Sequence, residues 1–405
     1  MGVKNIVFIT SGQPSLNPRL VKEADTLANA GYTVTVLYMY WNAWGANFDQ
    51  ELLASKKWRA VCVGGDPQYK RALYFLSRLI HKLAQTVNRK TKGRFMADIA
   101  IARASYFLIR EAKKYVADLY IGHNLGALPA VVGAAKINNK PSGFDAEDFH
   151  RYEMSDDDDN HDVILKMQIE NKHIPQLNYF TTSSPQIAEA YSKIFTSLKP
   201  AVLLNVFHKS DIVNAIPNSH QPLKLLWFSQ TIGANRGLQD IIGALQLLDN
   251  KHFELHLLGS KLHTNATFIN YLTGSKVNIR FHDPIPPDKL PEFAGQFDIG
   301  LALEPGFSTN NNLALSNKLF TYMQAGLAII ASDTIAQKDF ITKNPTIGHT
   351  YPARDTKAMA AILSSYYKNG ALLTLAKNES LRLAHELYNW EVESKKFLKI
   401  VEHTL

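Results

Sequence analysis

One lysine stands in the first turn of a predicted helix, where its charge is unfavourable unless something compensates it. Ser316 is a natural N-cap, and apolar residues recur at helical spacing from Leu319 to Met323, so Lys318 lies beside the unpaired N–H groups of the helix start. A cation there opposes the helix dipole, at a cost of a few tenths to about 1 kcal/mol. A phosphate or another anion would remove that cost. Lys318 therefore marks either an anion site or a solvated surface lysine.

The elements around Lys318 follow the order strand, polar loop, helix, strand. The apolar run 297–303 predicts the first strand, the Gly/Pro/Asn-rich segment 304–315 the loop, and 327–331 the second strand. A helix that starts after a strand and loop lies at the carboxyl edge of a parallel sheet, where ligands of α/β folds bind.

The rest of the chain repeats this alternation in two halves, which meet at a Pro/Asn/Ser-rich break at 216–222. In the first half we predict strands at 5–10, 33–40, 119–122 and near 141–144, and helices at 18–30 and 127–136. In the second half we predict strands at 223–229, 253–258 and 277–281, and helices at 238–248 and 290–295, with helices after 331 to the C-terminus. The fold class is therefore α/β, with two Rossmann-like doubly wound domains facing a central cleft.

Length and composition agree with this fold class. A chain of 405 residues suits two domains of similar size, and 46% hydrophobic with 20% charged residues is typical of a soluble globular protein. We see no signal peptide and no apolar run long enough to cross a bilayer. The single cysteine, Cys62, excludes an internal disulfide and favours the reducing cytosol.

The positive charge is concentrated in one segment. The net charge is +8, yet residues 56–114 contain fifteen Lys or Arg against three Asp or Glu, so this segment carries +12 and the remainder −4. Within it, 69–87 has the pattern of a basic amphipathic helix, which suits an anionic membrane surface. Nucleic-acid binding is less favoured because no zinc-ligand spacing or RNA-binding aromatic signature accompanies the charge. A solvated helix face is the third possibility.

An acidic run, Asp156–Asp159, is a weak candidate for a metal site. Consecutive like charges are more typical of a solvated loop, so we expect no bound metal there.

The segment from Ser316 to Gly326 followed by Ile329–Asp333 resembles the donor-binding signature of GT-B glycosyltransferases, and more narrowly that of the retaining family-4 group (glycosyl transferases group 1). Three other segments match the same family in the expected order: 225–237, which ends with Arg236-Gly237; 118–124 together with 143–148; and the start of the terminal helix at 388–391. The resemblance spans nearly the whole chain. It implies an N-terminal acceptor-side domain at 1–205, joined by a C-terminal helix at about 386–405, and a donor-binding domain at 206–385.

The resemblance implies that positive side chains stabilise the departing nucleoside diphosphate in place of a metal. Arg236 and Lys318 suit that role, and for Arg236 a structural salt bridge is the alternative. The same resemblance places Gly233, Ser316 and Asn317 at the donor.

In the first domain, Ser11 and Gly12 follow the first strand and are candidate donor-binding residues, because a glycine there lets the backbone approach the donor phosphate or the acceptor. His123 and Asn124 follow another strand and would orient an acceptor or the donor sugar, although a lone histidine is more often structural. Asp145 and Glu147 would position the acceptor.

One departure from the family pattern affects the ribose. Most members carry two glutamates at positions that correspond here to Leu313 and Thr321. Glu304 is the nearest carboxylate and either serves the donor sugar or ribose or solvates a loop.

The resemblance implies a glycosyltransferase, the single cysteine favours the cytoplasm, and the basic segment 56–114 predicts a peripheral location on the inner membrane face. The enzyme would move a sugar from a nucleotide-sugar to a glycan or lipid-linked acceptor, with retention of configuration and without a metal or other cofactor. The alternatives are a sugar-nucleotide epimerase of the same fold and a non-catalytic protein that binds membranes or nucleic acid through residues 56–114.

Overall fold

The computed structural model describes residues 3–209, 222–262, 264–286 and 289–405, and the chain divides into two compact units. Unit 1 comprises Met1–Asn205, Ser308–Asn310 and Ser394–Leu405, and unit 2 comprises Val206–Phe307 and Asn311–Glu393. The predicted break at 216–222 lies outside the described residues apart from Pro222.

Within the described residues, unit 1 contains a parallel sheet of seven strands in the order β3-β2-β1-β4-β5-β6-β7. The strands are β1 (Asn5–Thr10), β2 (Thr33–Met39), β3 (Arg59–Val63), β4 (Leu119–His123), β5 (Ser142–Ala146), β6 (Tyr179–Thr182) and β7 (Ala201–Val202). The central strand β1 is apolar and buried from Ile6 to Ile9, as expected for a parallel strand covered on both faces.

Helices cover the sheet of unit 1. They are α1 (Pro18–Asn29), α2 (Ala43–Ala54), α3 (Arg71–Lys90), α4 (Ala97–Ala100), α5 (Ser105–Ala112), α6 (Leu128–Asn138), α7 (His161–His173) and α8 (Pro185–Ile194). Asn17 caps α1 through its side-chain oxygen, which accepts a 3.1 Å hydrogen bond from the Leu20 N–H, and Pro18 occupies the first helical position. Because α1 follows β1 directly, its first turns lie at the carboxyl edge of the sheet.

Unit 2 contains a second parallel sheet, with six strands among the residues described, in the order β10-β9-β8-β11-β12-β13. The strands are β8 (Leu223–Thr231), β9 (Phe253–Ser260), β10 (Ile279–His282), β11 (Ile299–Ala302), β12 (Ala328–Ser332) and β13 (Gly348–Tyr351). The remaining helices are α9 (Leu238–Gln246), α10 (Ala266–Gly274), α11 (Leu290–Ala294), α12 (Thr309–Leu313), α13 (Asn317–Gln324), α14 (Ile335–Lys343), α15 (Thr356–Lys368), α16 (Gly370–Glu386) and α17 (Trp390–Thr404).

Two helices contain residues of both units. The first two residues of α12 belong to unit 1, and so does α17 from Ser394 onward. Phe397 and Val401 of α17 are buried in the same apolar cluster as β1 and α1 residues such as Phe8 and Leu20. Across the described ranges, no helix combines the length and the apolar character needed to cross a membrane.

The structure confirms the predicted α/β class with two doubly wound sheets. Strand β1 has the predicted bounds, and the predicted basic helix at 69–87 is α3, shifted to Arg71–Lys90. The prediction missed β3, β6, β7 and β13, and helix α12 lies within the predicted loop. The region after β12 was predicted as helical only, so the strand β13 corrects that expectation.

Candidate functional site

In unit 2 the strand order reverses between β8 and β11, which makes this point the expected ligand position of the second sheet. The segment after β8 carries Gly233 and Arg236, and Glu304 follows β11 closely. The two segments meet, because a Cβ on Gly237 would lie 2.8 Å from the Leu303 Cβ. Gly237 adopts a positive φ of 72° and lets this close approach occur.

Arg236 is an exposed cation at this edge. It ends a short 3₁₀ turn, Ala234–Arg236, that precedes α9, so it lies before the helix start and not within its first turn. Its side chain is exposed, and in the part of the chain that the structure describes no carboxylate pairs with it. Among the described residues, Arg236 therefore does not form the structural salt bridge that was its alternative role. The guanidinium has its full set of donors available for an anion.

Lys318 is bound to a carboxylate that lies next to it. Its Nζ is 2.7 Å from Oε1 of Glu304, with the two side chains 12% and 16% exposed. Ser316 Oγ donates to the same oxygen at 3.0 Å, and Asn311 Nδ2 donates to Oε2 at 3.3 Å. Burial raises the pKa of Glu304, but Lys318 and these donors outweigh burial, so the pKa lies below its ordinary value. The first-turn cation is thus compensated within the protein.

The backbone of Glu304 is fixed from the neighbouring strand β12. Its N–H donates to Ser332 Oγ at 2.8 Å, and Ser332 Oγ donates back to the Glu304 carbonyl at 2.7 Å. Gln337 Nε2 also donates to Ser332 Oγ, at 3.0 Å. Neither Ser332 nor Gln337 was predicted as a site residue, because a role in holding a backbone carries no sequence motif.

Helix α13 begins at Asn317, as predicted, but its start differs from the predicted cap. Ser316 occupies the N-cap position, yet its hydroxyl donates to Glu304 and no side chain caps the helix. Asn317 is exposed. Thr321 is buried, and its Oγ1 donates to the Asn317 carbonyl at 3.4 Å, so its side chain turns back onto its own helix.

The placement of α13 depends on a close contact with β11. A Cβ on Gly300 would lie 2.2 Å from the ring of Tyr322, and the Tyr322 hydroxyl donates to the Leu301 carbonyl at 3.0 Å. Only glycine at 300 admits the ring here, so this pair sets the distance between the helix and the strand end. Gly233, in contrast, is extended at φ −155° with no atom within 4 Å of an added Cβ.

In unit 1 the strand order reverses between β1 and β4, and the predicted residues Gly12 and Asn124 meet there. Thr10 Oγ1 donates to Asn124 Oδ1 at 2.7 Å, and the Gly12 N–H donates to Thr10 Oγ1 at 3.1 Å. A Cβ on Gly12 would lie 3.2 Å from Asn124 Oδ1. Ser11 packs against Gly126, where an added Cβ would come within 2.7 Å of the Ser11 Oγ.

His123 and Asp145 lie in a buried ion cluster with Arg19 and Glu23 of α1. Arg19 holds both oxygens of Asp145, with Nε at 2.5 Å and Nη2 at 2.8 Å. His123 Nε2 is 3.0 Å from Glu23 Oε2, and its Nδ1 is 3.6 Å from Asp145 Oδ2. Burial lowers the pKa of His123, but Glu23 and Asp145 outweigh burial, so the pKa is raised. When the ring is protonated, the cluster contains two carboxylates and two cations.

This cluster changes the interpretation of His123. Its ring is fully buried and faces carboxylates on both nitrogens, so in this structure it is shielded from solvent. Glu23, His123 and Asp145 are close enough to share a cation, but the Arg19 guanidinium already occupies both Asp145 oxygens. The substrate roles assigned to His123 and Asp145 stay predictions.

Glu147 lies just beyond the carboxyl end of β5 and is only half-buried. Asn205 Nδ2 donates to its Oε1 at 3.0 Å, and Lys22 Nζ donates to Asn205 Oδ1 at 3.1 Å. Burial, followed by repulsion from Asp148, raises the pKa of Glu147 to about 7. Burial and Arg19 lower the pKa of Lys22 to about 7. Unit 1 therefore holds an acid and a base that both titrate near neutrality at one sheet edge.

The sequence analysis missed Arg19, Lys22 and Glu23. A signal was present, because Arg19 and Glu23 are four residues apart on the same helix face as the buried Leu20 and Ala24. Charged residues in an otherwise apolar face indicate a buried ion pair.

The acidic run Asp156–Asp159 is exposed and hydrogen-bonded to its surroundings. Asp156 accepts from the Thr309 N–H at 2.8 Å, and Asp158 accepts from the Tyr152 hydroxyl at 2.6 Å. These contacts are typical of the solvated loop that we expected.

Comparisons with known proteins agree with this arrangement. Residues 222–369 match the family model described as glycosyl transferases group 1.

A glycosyltransferase from Rickettsia africae is 12% identical with a TM-score of 0.69, over 100% of this chain and 99% of that one. Sucrose-phosphate synthase from Thermosynechococcus elongatus is 13% identical with a TM-score of 0.69, over 99% and 98%. Anabaena Alr3699/HepE in complex with UDP-glucose is 12% identical with a TM-score of 0.67, over 99% and 100%. The comparison with curated protein sequences found no match. At these identities the structural likeness concerns the fold.

Proposed function

We propose that this chain is a glycosyltransferase that moves a sugar from a nucleotide-sugar to a hydroxyl of a glycan or lipid-linked acceptor. Residues 222–369 match the family model of glycosyl transferases group 1, and the fold is that of the similar GT-B glycosyltransferases. UDP-sugars are the first donors to test, because the similar Anabaena protein is in complex with UDP-glucose.

One observation carries this proposal: Arg236, which pairs with no carboxylate among the described residues, and Lys318 at a helix start both lie where the strand order of the second sheet reverses. Arg236 is exposed, and its planar fork matches two phosphate oxygens. Lys318 has three N–H donors, of which Glu304 takes one, so the others remain for the leaving group. Because Glu304 cancels one charge, Arg236 supplies the net positive charge, and the start of α13 adds to it.

The reaction needs no obligatory protein base. The acceptor oxygen bonds to the anomeric carbon on the face from which the diphosphate departs, the bond from carbon to phosphate oxygen breaks, and the acceptor proton passes to the departing phosphate. This course retains the anomeric configuration. Arg236 and Lys318 stabilise the charge that grows on the phosphate oxygens, the role that a metal has in other glycosyltransferases.

Removing Arg236 tests the proposal with little risk to the fold. Because the side chain is exposed and unpaired, we expect Arg236→Ala to keep its thermal unfolding midpoint while kcat/KM for the donor falls about 100- to 1000-fold. Arg236→Lys restores the charge but not the fork, so it should recover only part of the activity. Release of UDP from UDP-sugars, by the full chain with candidate acceptors, is the measurement.

The control is Lys251→Ala, which removes an exposed cation just before β9, at the opposite edge of the same sheet. It should leave turnover unchanged. Full turnover by Arg236→Ala would refute the assignment. Chelation by EDTA should not reduce the rate, and rearrangement of the donor sugar without any acceptor would favour an epimerase.

A further inference from the structure

The helix α3 exposes a row of large apolar side chains. Phe75, Leu76, Leu79, Leu83 and Val87 are between 38% and 61% exposed, and we call them the apolar stripe. At 3.6 residues per turn they lie along one side of the helix. An amphipathic surface helix of a globular domain normally buries such a side and exposes its polar side.

Helix α3 is anchored by its opposite side, which is made of small and polar residues. Ser77, Ala84 and Asn88 are buried, and His81 Nε2 is 3.0 Å from the Ala100 carbonyl. Asn88 Nδ2 donates to the Gly93 and Phe95 carbonyls at 3.0 and 2.8 Å, which fixes the turn after the helix. The outward position of the apolar stripe therefore follows from how the helix is held.

A row of cations lies beside the apolar stripe. Helical spacing puts Arg71, Lys82 and Arg89 on one side, next to the stripe, and Lys90 follows Val87 on the stripe side itself. The helix contains no Asp or Glu, and within the described ranges none of these four cations pairs with a carboxylate. The acid of the neighbouring helix α4, Asp98, is engaged elsewhere, because it accepts from Lys172 and from His173.

We propose that this face of α3, the apolar stripe with its row of cations, docks on the surface of an anionic lipid bilayer. The aliphatic and phenyl side chains insert at the boundary between headgroups and acyl chains, while the neighbouring cations contact the phosphate headgroups. Interfacial amphipathic helices bind membranes in this way. A second copy of this chain is a poor occupant, because two such faces would bring like-charged rows together. Single-stranded nucleic acid would leave the leucines exposed and finds few aromatic rings on which to stack.

The test is flotation of the full-length protein with vesicles of phosphatidylcholine alone or with about 30% phosphatidylglycerol added. The protein should float with the anionic vesicles, should bind phosphatidylcholine at least about tenfold more weakly, and should be released by 0.5 M salt (roughly a 4 Å screening length). Absence of binding to anionic vesicles would overturn the proposal. Equal binding to both vesicle types would refute the role of the cations.

Paired variants separate the two parts of the face. Leu79→Glu/Leu83→Glu and Lys82→Glu/Arg89→Glu should each reduce binding to anionic vesicles at least about tenfold without changing the unfolding midpoint, because all four side chains are exposed. Lys395→Glu/Lys399→Glu on α17 makes the same change in net charge, and Leu375→Glu on α16 places a charge on another exposed leucine. Both controls should bind as the unchanged protein does.

Two other outcomes would also contradict the proposal. These are a concentration-dependent dimer that Leu79→Glu/Leu83→Glu abolishes, and binding to RNA but not to vesicles. The inference does not depend on the proposed reaction, because vesicle binding is measured without donor or acceptor. Conversely, the docking variants should keep their turnover of a water-soluble acceptor, so loss of docking and loss of catalysis are distinguishable.

Discussion

At the scale of single residues, the Lys318–Glu304 pair explains how a helix can begin with a cation. The carboxylate lies 2.7 Å from the ammonium and is held in turn by Ser316 and Asn311. A mostly buried pair of this kind contributes little net stability compared with apolar residues, but breaking one side leaves an uncompensated charge. The pair is therefore better understood as a device that positions Lys318 than as a source of stability.

A double-mutant cycle measures this pair. Glu304→Gln and Lys318→Met should each lower the free energy of unfolding by about 2 kcal/mol, because each leaves one charge without its partner. The double variant should lose less than the sum, with a coupling energy of about 1–3 kcal/mol. Chemical denaturation of the three variants and the unchanged protein gives these values. Additive losses would show that the two side chains do not interact in solution.

The pH dependence of the same variants gives an independent check. The folded-state pKa of Glu304 is lowered, so its contribution is complete above the unfolded pKa of about 4.3 and is lost as pH falls through the lower folded value. The difference in stability between the unchanged protein and Glu304→Gln should therefore shrink between about pH 5 and pH 3. A difference that stays constant across this range would contradict the assigned direction of the shift.

At the scale of elements, two glycines bring the site residues of unit 2 together. Gly300 admits the ring of Tyr322 and so sets α13 against β11, and Gly237 lets the turn that carries Arg236 approach Leu303. Only Gly237 has the positive φ that an L-residue adopts at a cost.

The two glycines in the turn after β8 should respond differently to substitution. Gly237→Ala should lower the free energy of unfolding by about 2 kcal/mol, because it adds both left-handed strain and a 2.8 Å contact with Leu303. Gly233→Ala is the matched control, since its backbone is extended and the space around its Cβ is open, so stability should be unchanged or slightly higher.

Thermal unfolding and donor kinetics of both variants are the measurements. Activity lost in Gly233→Ala at unchanged stability would mean that the donor approaches this backbone closely, as the resemblance implies. If Gly237→Ala were as stable as the unchanged protein, the close packing of Gly237 against Leu303 would be contradicted.

The elements that sequence reasoning found are those with strong local patterns. Strand β1 is a continuous apolar run, and α13 follows a polar loop with apolar residues at helical spacing. Strands β3, β6, β7 and β13 have two to five residues, and β13 reads Gly-His-Thr-Tyr, so no hydrophobic run marks it. Their extended conformation comes from pairing with neighbouring strands, which is tertiary information.

The candidate site follows the same rule. Lys318 was predicted because a helix start has a local signal, and Arg236 was predicted from the family resemblance. The side-chain contacts were not predicted, because Glu304 lies fourteen residues from Lys318 in the chain and the Arg19–Asp145 contact joins positions 126 residues apart. His123 shows what the sequence could not predict. Its position at a strand end was predicted, but the inward orientation of its side chain toward the Glu23 carboxylate was not.

At the scale of the whole molecule, each unit has its own parallel sheet, and each sheet has its own point where the strand order reverses. The charge is also divided: residues 56–114 of unit 1 carry +12, while the rest of the chain carries −4, which gives the net charge of +8. On the proposed function, a nucleotide diphosphate would be recognised locally, by a few cations in unit 2, and not by a general positive field over the protein.

Hydrogen exchange of the full chain with and without UDP tests this local recognition. UDP at about 100 times its dissociation constant should raise the free energy of unfolding of the part that binds it by about 2.7 kcal/mol. We expect the largest slowing of amide exchange at 232–238 and 303–321, where Arg236, Glu304 and Lys318 lie, because bound nucleotide suppresses local opening there. The unchanged reference is the β1 core at 6–9, and Arg236→Ala should weaken the effect at the same UDP concentration. Two results would contradict this expectation: amide exchange that UDP slows most strongly in unit 1, or exchange that UDP slows fully in Arg236→Ala. Either result would mean that the diphosphate binds elsewhere and that the point where the second sheet reverses its strand order serves another ligand.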